Sequence, residues 1–189
     1  GSLERIVQRP VFMLVFYSNG DTKSRTNTLA SNEISDRFDA STAFTITLAS
    51  LATSTAGVGR QSTIVDNTAN KYLDVLVYVK LKQGTSPTGN RAAFVYLIRD
   101  DNNATNHRSD GAGASDAGLT VQNAMLLGSM VNKGTPATGD LLYGEFLVHR
   151  PGPKWGIAIV HDTGVNLDST ESNHWARYVG LNPDIQAAA

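Results

Sequence analysis

The chain contains no cysteine. That absence removes disulfide staples, thiolate nucleophiles and cysteine-ligated metals together, and it suits assembly in a reducing cytoplasm. An excess of either charge is also missing: 16 Lys and Arg stand against 17 Asp and Glu, for a formal net charge of -1. A protein that neutralises many phosphates carries a basic excess, so nucleic acid is not expected as a partner. Long apolar runs are absent too. The longest clean one, residues 11–17, is far short of the roughly 20 residues that span a bilayer, so a membrane is not expected either. The opening Gly1, Ser2, Leu3, Glu4 and Arg5 show no charged, apolar and small-residue succession of a secretion signal. No repeat recurs at a 20–50-residue period. Sustained 3.6-residue periodicity is lacking, and the best helix candidate is residues 30–38.

What is present is alternation. In residues 72–82, Leu73, Val75, Val77, Val79 and Leu81 occupy every second position, and the others end in Lys80 and Lys82. Successive strand residues point to opposite faces, so this pattern predicts a strand with one buried face. Phe44, Ile46 and Leu48 alternate with Thr45 and Thr47 in the same way, and residues 62–65 read as a short strand. Residues 83–90 are dense in turn formers and predict a long hairpin loop leading into a return strand over 91–100. That strand is apolar on both sides and is expected to lie centrally. Further strands are predicted over 124–131, 142–149, 155–161 and 175–179. With 189 residues, 41% of them hydrophobic, the chain can bury a sizeable core. Short strands with recurring turn signals predict an all-β fold, an antiparallel sandwich or barrel.

The first forty residues differ. Residues 11–17 read as a strand and Asn19-Gly20 as a hairpin turn, after which the sequence is polar and unpatterned. The expected division is an N-terminal arm or hairpin over 1–40, a β-sandwich over 41–181 and a C-terminal tail over 182–189. Val11, Phe12, Met13, Leu14, Val15 and Phe16 are more apolar than an exposed strand should be, and they are the candidate interface residues of an arm clasping a neighbour.

Motifs that suggest chemistry have simpler readings beside them. Asp162-Thr163-Gly164 follows an apolar strand, as in aspartic proteases, whose two carboxylates share a proton. A single copy needs a homodimer, and the same triplet is ordinary turn chemistry, which is preferred. The oxygen-rich stretch 100–116 suggests a hard cation such as calcium, yet it misses the EF-hand pattern because Ala112 stands where a Glu belongs. It reads as a solvated loop. Asn103-Ala104-Thr105 matches a glycosylation sequon. His107, His149, His161 and His174 lack metal-ligand spacing, although His149 and His161 end neighbouring strands and could meet. Tyr72, Tyr78, Tyr143 and Tyr178 suit a sugar-stacking face or, more simply, sheet residues with a wet edge. No nucleophile elbow or phosphate loop is present. No catalytic residue, metal ligand or cofactor is expected.

Between Thr45 and Gly180 the sequence resembles a family of small tailed-bacteriophage virion proteins. The resemblance is carried by Ile46-Thr47-Leu48-Ala49-Ser50-Leu51-Ala52, Arg60-Gln61-Ser62-Thr63, Asp66-Asn67-Thr68, Tyr72-Leu73-Asp74-Val75-Leu76-Val77, Asp110-Gly111 with Ser115-Asp116-Ala117, and Pro153-Lys154-Trp155-Gly156-Ile157. Thr163-Gly164, Leu167-Asp168, Asn173-His174 and Tyr178-Val179-Gly180 follow in order. It implies a jelly-roll-like sandwich in the virion and no known activity. The expectation is a non-enzymatic capsid decoration or head, neck or tail accessory protein, binding other virion proteins and forming a homo-oligomer, a trimer by analogy. A carbohydrate-binding module built on loops 83–90 and 100–118 is the alternative, and a homodimeric aspartic protease the third.

Overall fold

The computed structural model of the chain describes residues 33–100, 115–119 and 124–186. Among them run β1 (Glu33–Phe38), β2 (Thr42–Ala43), β3 (Val58–Gln61), β4 (Val65–Asp66), β5 (Asp74–Lys82), β6 (Ala92–Asp100), β7 (Ala117–Gly118), β8 (Ala124–Val131), β9 (Leu141–His149), β10 (Lys154–His161) and β11 (Trp175–Gln186). One 3₁₀ turn, Glu171–Asn173, precedes β11. No helix among the described residues is long and apolar enough to cross a membrane.

The strands pair antiparallel in two sheets. The first has the order β1–β11–β5–β9 with β2 also on β11; the second has the order β7–β3–β10–β6–β8 with β4 also on β10. β1 and β2 follow one another along β11, as β3 and β4 do along β10, so each pair is one interrupted strand. Leaving aside the two-residue β7, eight strands remain, ordered 1-8-3-6 in one sheet and 2-7-4-5 in the other. That is the jelly-roll order, a sandwich of two Greek keys.

The 72–82 alternation explains the core. Val75, Val77, Val79 and Leu81 of β5 are fully buried, while its other positions are half-exposed. Ala93, Val95 and Leu97 of β6 and Trp155, Ile157 and Ile159 of β10 meet them from the second sheet. Trp155 stands edge-on to Phe44 at 5.3 Å and 89° and to Tyr178 at 5.3 Å and 75°. These rings come from β10, from the β2–β3 connection and from β11, so a single aromatic cluster joins both sheets and the chain between them.

Several expectations need correction. Residues 83–90 are not a hairpin loop, because β5 and β6 lie in different sheets. Both edges of β5 are taken by β11 and β9, and both edges of β6 by β10 and β8, so the loop crosses the sandwich. The central place expected for the 91–100 strand is observed. Residues 44–48 keep alternating burial but form no ladder. The Phe44 N–H donates to Ala176 O in the first sheet, and Thr45 O accepts from the N–H of Thr63 beside the second, so this segment steps between sheets. The strand expected over 62–65 is broken where the Ser62 hydroxyl accepts from the Ile157 N–H and donates to Thr63 O, replacing part of the ladder. The helix candidate 30–38 contains strand β1 instead. β11 outruns β5 at Leu181, and β1 pairs with residues 181–186, satisfying backbone groups that would otherwise stay open. β11 therefore runs through position 181/182, where the sequence suggested a tail.

Candidate functional site

The motifs singled out in the sequence are occupied by architecture. The Asp162 carboxylate accepts from Arg91 Nη1 at 2.7 Å, as one half of an ion pair. Thr163 is buried, and Gly164 takes φ +82° where a Cβ would overlap Thr88. The triplet is a turn. His149 and His161 do not meet, since their strands belong to different sheets. His161 is fully buried, with Nε2 2.8 Å from Leu51 O and Nδ1 2.9 Å from Thr163 Oγ1. Burial pushes its pKa down, against the opposing pull of the Leu51 carbonyl. His174 accepts the Lys82 N–H at Nδ1 and places Nε2 on Asp168 O.

Arg60 and Asp116, from separate blocks of the resemblance, bind each other at 2.7 Å. Arg60 also donates to Thr47 O and Ala49 O. Asn67 bridges two loops, donating to Tyr72 O and Gly152 O and accepting from the Tyr72 N–H. Asp168 accepts from Asn173 Nδ2 and the Thr170 N–H, with Lys82 beside it, and these bonds hold its carboxyl far below the usual range. Glu171 accepts the N–H groups of Leu48 and Ala49. Sequence reasoning did not single out Glu171, and nothing near position 171 pointed to a partner more than 120 residues earlier.

Residues 101–114, with the sequon and His107, lie outside the described residues, as do the candidate interface residues 11–16. Of the acidic stretch, Asp100 is buried and Asp116 is engaged by Arg60. Among the described residues no three His, Cys, Asp or Glu side chains cluster as metal ligands do. His149 Nδ1 and Asp74 Oδ1 lie 2.5 Å apart on the surface.

What remains is the outer face of the first sheet. Directly opposed strand residues share a face, so the register lines up Leu147, Leu76 and Val179 in one row and Tyr143, Lys80 and Trp175 in another. Between them lies the row Glu145, Tyr78 and Arg177, and His149, Asp74, Leu181 and Phe38 form a fourth. Ile34, Phe38, Leu141, Tyr143 and Leu147 are each 46–73% exposed, and all five point outward here. Lys80 and Arg177 flank the Trp175 ring at 5.9 and 5.6 Å. Comparisons decide nothing further about this face. No family model, curated protein or solved structure matches the chain.

The four tyrosines divide. Tyr78 and Tyr143 lie on this face; Tyr178 is in the core; and Tyr72 packs on Gly180, where a Cβ would overlap its ring. Burial, with help from a hydrogen bond to Asp39, pushes Tyr72 up to about 12. The sequence signal for the face is legible in part: residues 141–149 are apolar at both odd and even positions, and Tyr78, Tyr143 and His149 stand out by type, but nothing marks Leu141 and Leu147 as outward-facing. The face offers apolar and cation-flanked aromatic area, with the His149–Asp74 pair in its fourth row.

Proposed function

We propose that the protein is a non-enzymatic virion structural protein, a capsid decoration or head, neck or tail accessory protein, which docks on other virion proteins through the outer face of its first sheet. The observation that carries the reading is the apolar run across that face. Large exposed apolar patches on a folded surface mark contact sites, and β9 adds a sheet edge with no second partner among the described residues. The jelly-roll order is in keeping, since this rigid scaffold recurs in capsid proteins, and the resemblance to tailed-phage virion proteins points the same way. Self-association through the same face is part of the proposal.

The test is co-sedimentation with particles assembled from the gene cluster that encodes the chain. Wild type should pellet with particles, and Tyr143→Glu with Leu147→Glu should not, at an unchanged unfolding midpoint. Equal pelleting of the variant, or a gene cluster without capsid, portal or tail proteins, overturns the reading. A carbohydrate-binding module is the second reading, favoured by Trp175, Tyr78 and Tyr143 on one flat face, because rings present apolar surface for stacking. Glycan binding lost in Trp175→Ala would replace the first reading.

A further inference from the structure

At one end of the sandwich the β4–β5 and β9–β10 connections are stitched into one unit. Asn67 N–H donates to Pro153 O, Arg150 N–H to Leu73 O and Lys71 N–H to Asn67 O, each at 2.8 Å. Between them opens a cleft of about 320 Å³ with Tyr72, Leu73 and Pro153 among its lining residues. That volume matches the lower range of small-ligand sites.

Three properties single this cleft out. Its polar side chains are already satisfied: both amide atoms of Asn67 are engaged, and the Thr68 hydroxyl donates to Asp66. Lys71 and Arg150 line it, both are exposed, and neither contacts a carboxylate among the described ion pairs. A third cation, Arg99, donates to His149 O next to Arg150. Lys71 and Arg150 also hold left-handed backbone, with φ of 52° and 49°. Bulky residues rarely adopt that conformation, and it concentrates at sites where position matters.

We propose that this cleft binds an apolar side chain flanked by carboxylates, carried on an acidic segment of a protein partner. Apolar surface takes the side chain, and the Lys71 and Arg150 heads take the carboxylates through charge-assisted bonds. A sugar is disfavoured because the polar side chains that would read its hydroxyls are spoken for. The inference does not rest on the virion reading or on the outer face of the first sheet.

Ligand-observed NMR on the full chain tests it with acetyl-Glu-Leu-Glu-amide, its Gln-Leu-Gln counterpart and glucuronate. The acidic peptide should bind, more weakly at raised salt, and the other two should not. Lys71→Asn with Arg150→Asn removes both charges while suiting the left-handed backbone, and should weaken binding by on the order of tenfold or more. Leu73→Asp, which places a repelling charge on the half-exposed lining, should do the same. Failure of the acidic peptide to bind, equal binding of the neutral peptide, indifference to both variants, or binding of glucuronate alone overturns the proposal.

Discussion

Arg60 is 8% exposed, and its guanidinium serves the Asp116 carboxylate and two carbonyl oxygens of the β2–β3 connection. Truncation to alanine leaves Thr47 O and Ala49 O without this donor and Asp116 without its cation. Because Asp116 is about one-third exposed, the loss is set below that of a fully buried pair, at about 2–3 kcal/mol in chemical denaturation. Lysine recovers little of it, having no fork to reach three acceptors. A loss under about 0.5 kcal/mol for Arg60→Ala would contradict this role. Asp162→Asn is the contrasting case. Its pair with Arg91 is half-exposed on the arginine side, so the change should cost less than about 1 kcal/mol, and larger losses would reveal a further duty. The difference explains what could be read beforehand. The Asp162 turn is local, and residue types alone identify it. The partner of Arg60 lies 56 residues on, and Glu171 caps a turn more than 120 residues before it. Spacing along the chain carries no record of such encounters, so those residues could be noticed but not explained.

Strands follow the same division between local and distant causes. β5 was legible because inward and outward positions alternate and a buried face demands apolar residues at every second one, whereas β6, β8, β9 and β10 showed as short apolar runs between turn formers. Which sheet a strand joins was not legible. An inner apolar face looks the same from either layer, so the 83–90 crossing resembled a hairpin and the 30–38 segment gave no sign that β11 would reach it. Trp155 in β10 is where the layers meet, and it permits a test of their packing. Its ring is fully buried against Phe44 and Tyr178, but its Nε1–H has no acceptor among the described residues. Trp155→Ala should cost about 3–5 kcal/mol through lost contacts and a cavity. Trp155→Phe keeps much of the apolar contact and removes a buried, unpaired donor, whose desolvation cost is about 1–3 kcal/mol. Its net loss should stay near or below about 1 kcal/mol in urea unfolding. Similar losses in the two variants would mean that the indole nitrogen is not a burden.

At the scale of the whole molecule, the near-neutral balance of charge conceals an uneven response to acid. His161 ties the end of β10 to Leu51 and to the Thr163 turn, and burial lowers its pKa below the ordinary value of 6.5. The unfolded chain therefore binds a proton there more readily than the folded one. Stability from this group is complete above about pH 6.5 and declines as the pH falls through the interval down to the folded value. Asp168, Asp140 and Asp66 are also lowered, chiefly by hydrogen bonds from Asn173, Lys133 and Thr68. Their contribution is present above about pH 4 and is lost on further acidification. The urea midpoint should thus hold from pH 8 to 7, fall as the pH drops below about 6.5, and fall again below about 4. His161→Gln isolates this group: a glutamine amide can still donate to Leu51 O but takes no proton. The variant should lose stability at pH 7.5 through imperfect packing, yet its midpoint should change less between pH 7 and 5 than that of the wild type. An equal decline in both proteins would leave His161 a packing residue only.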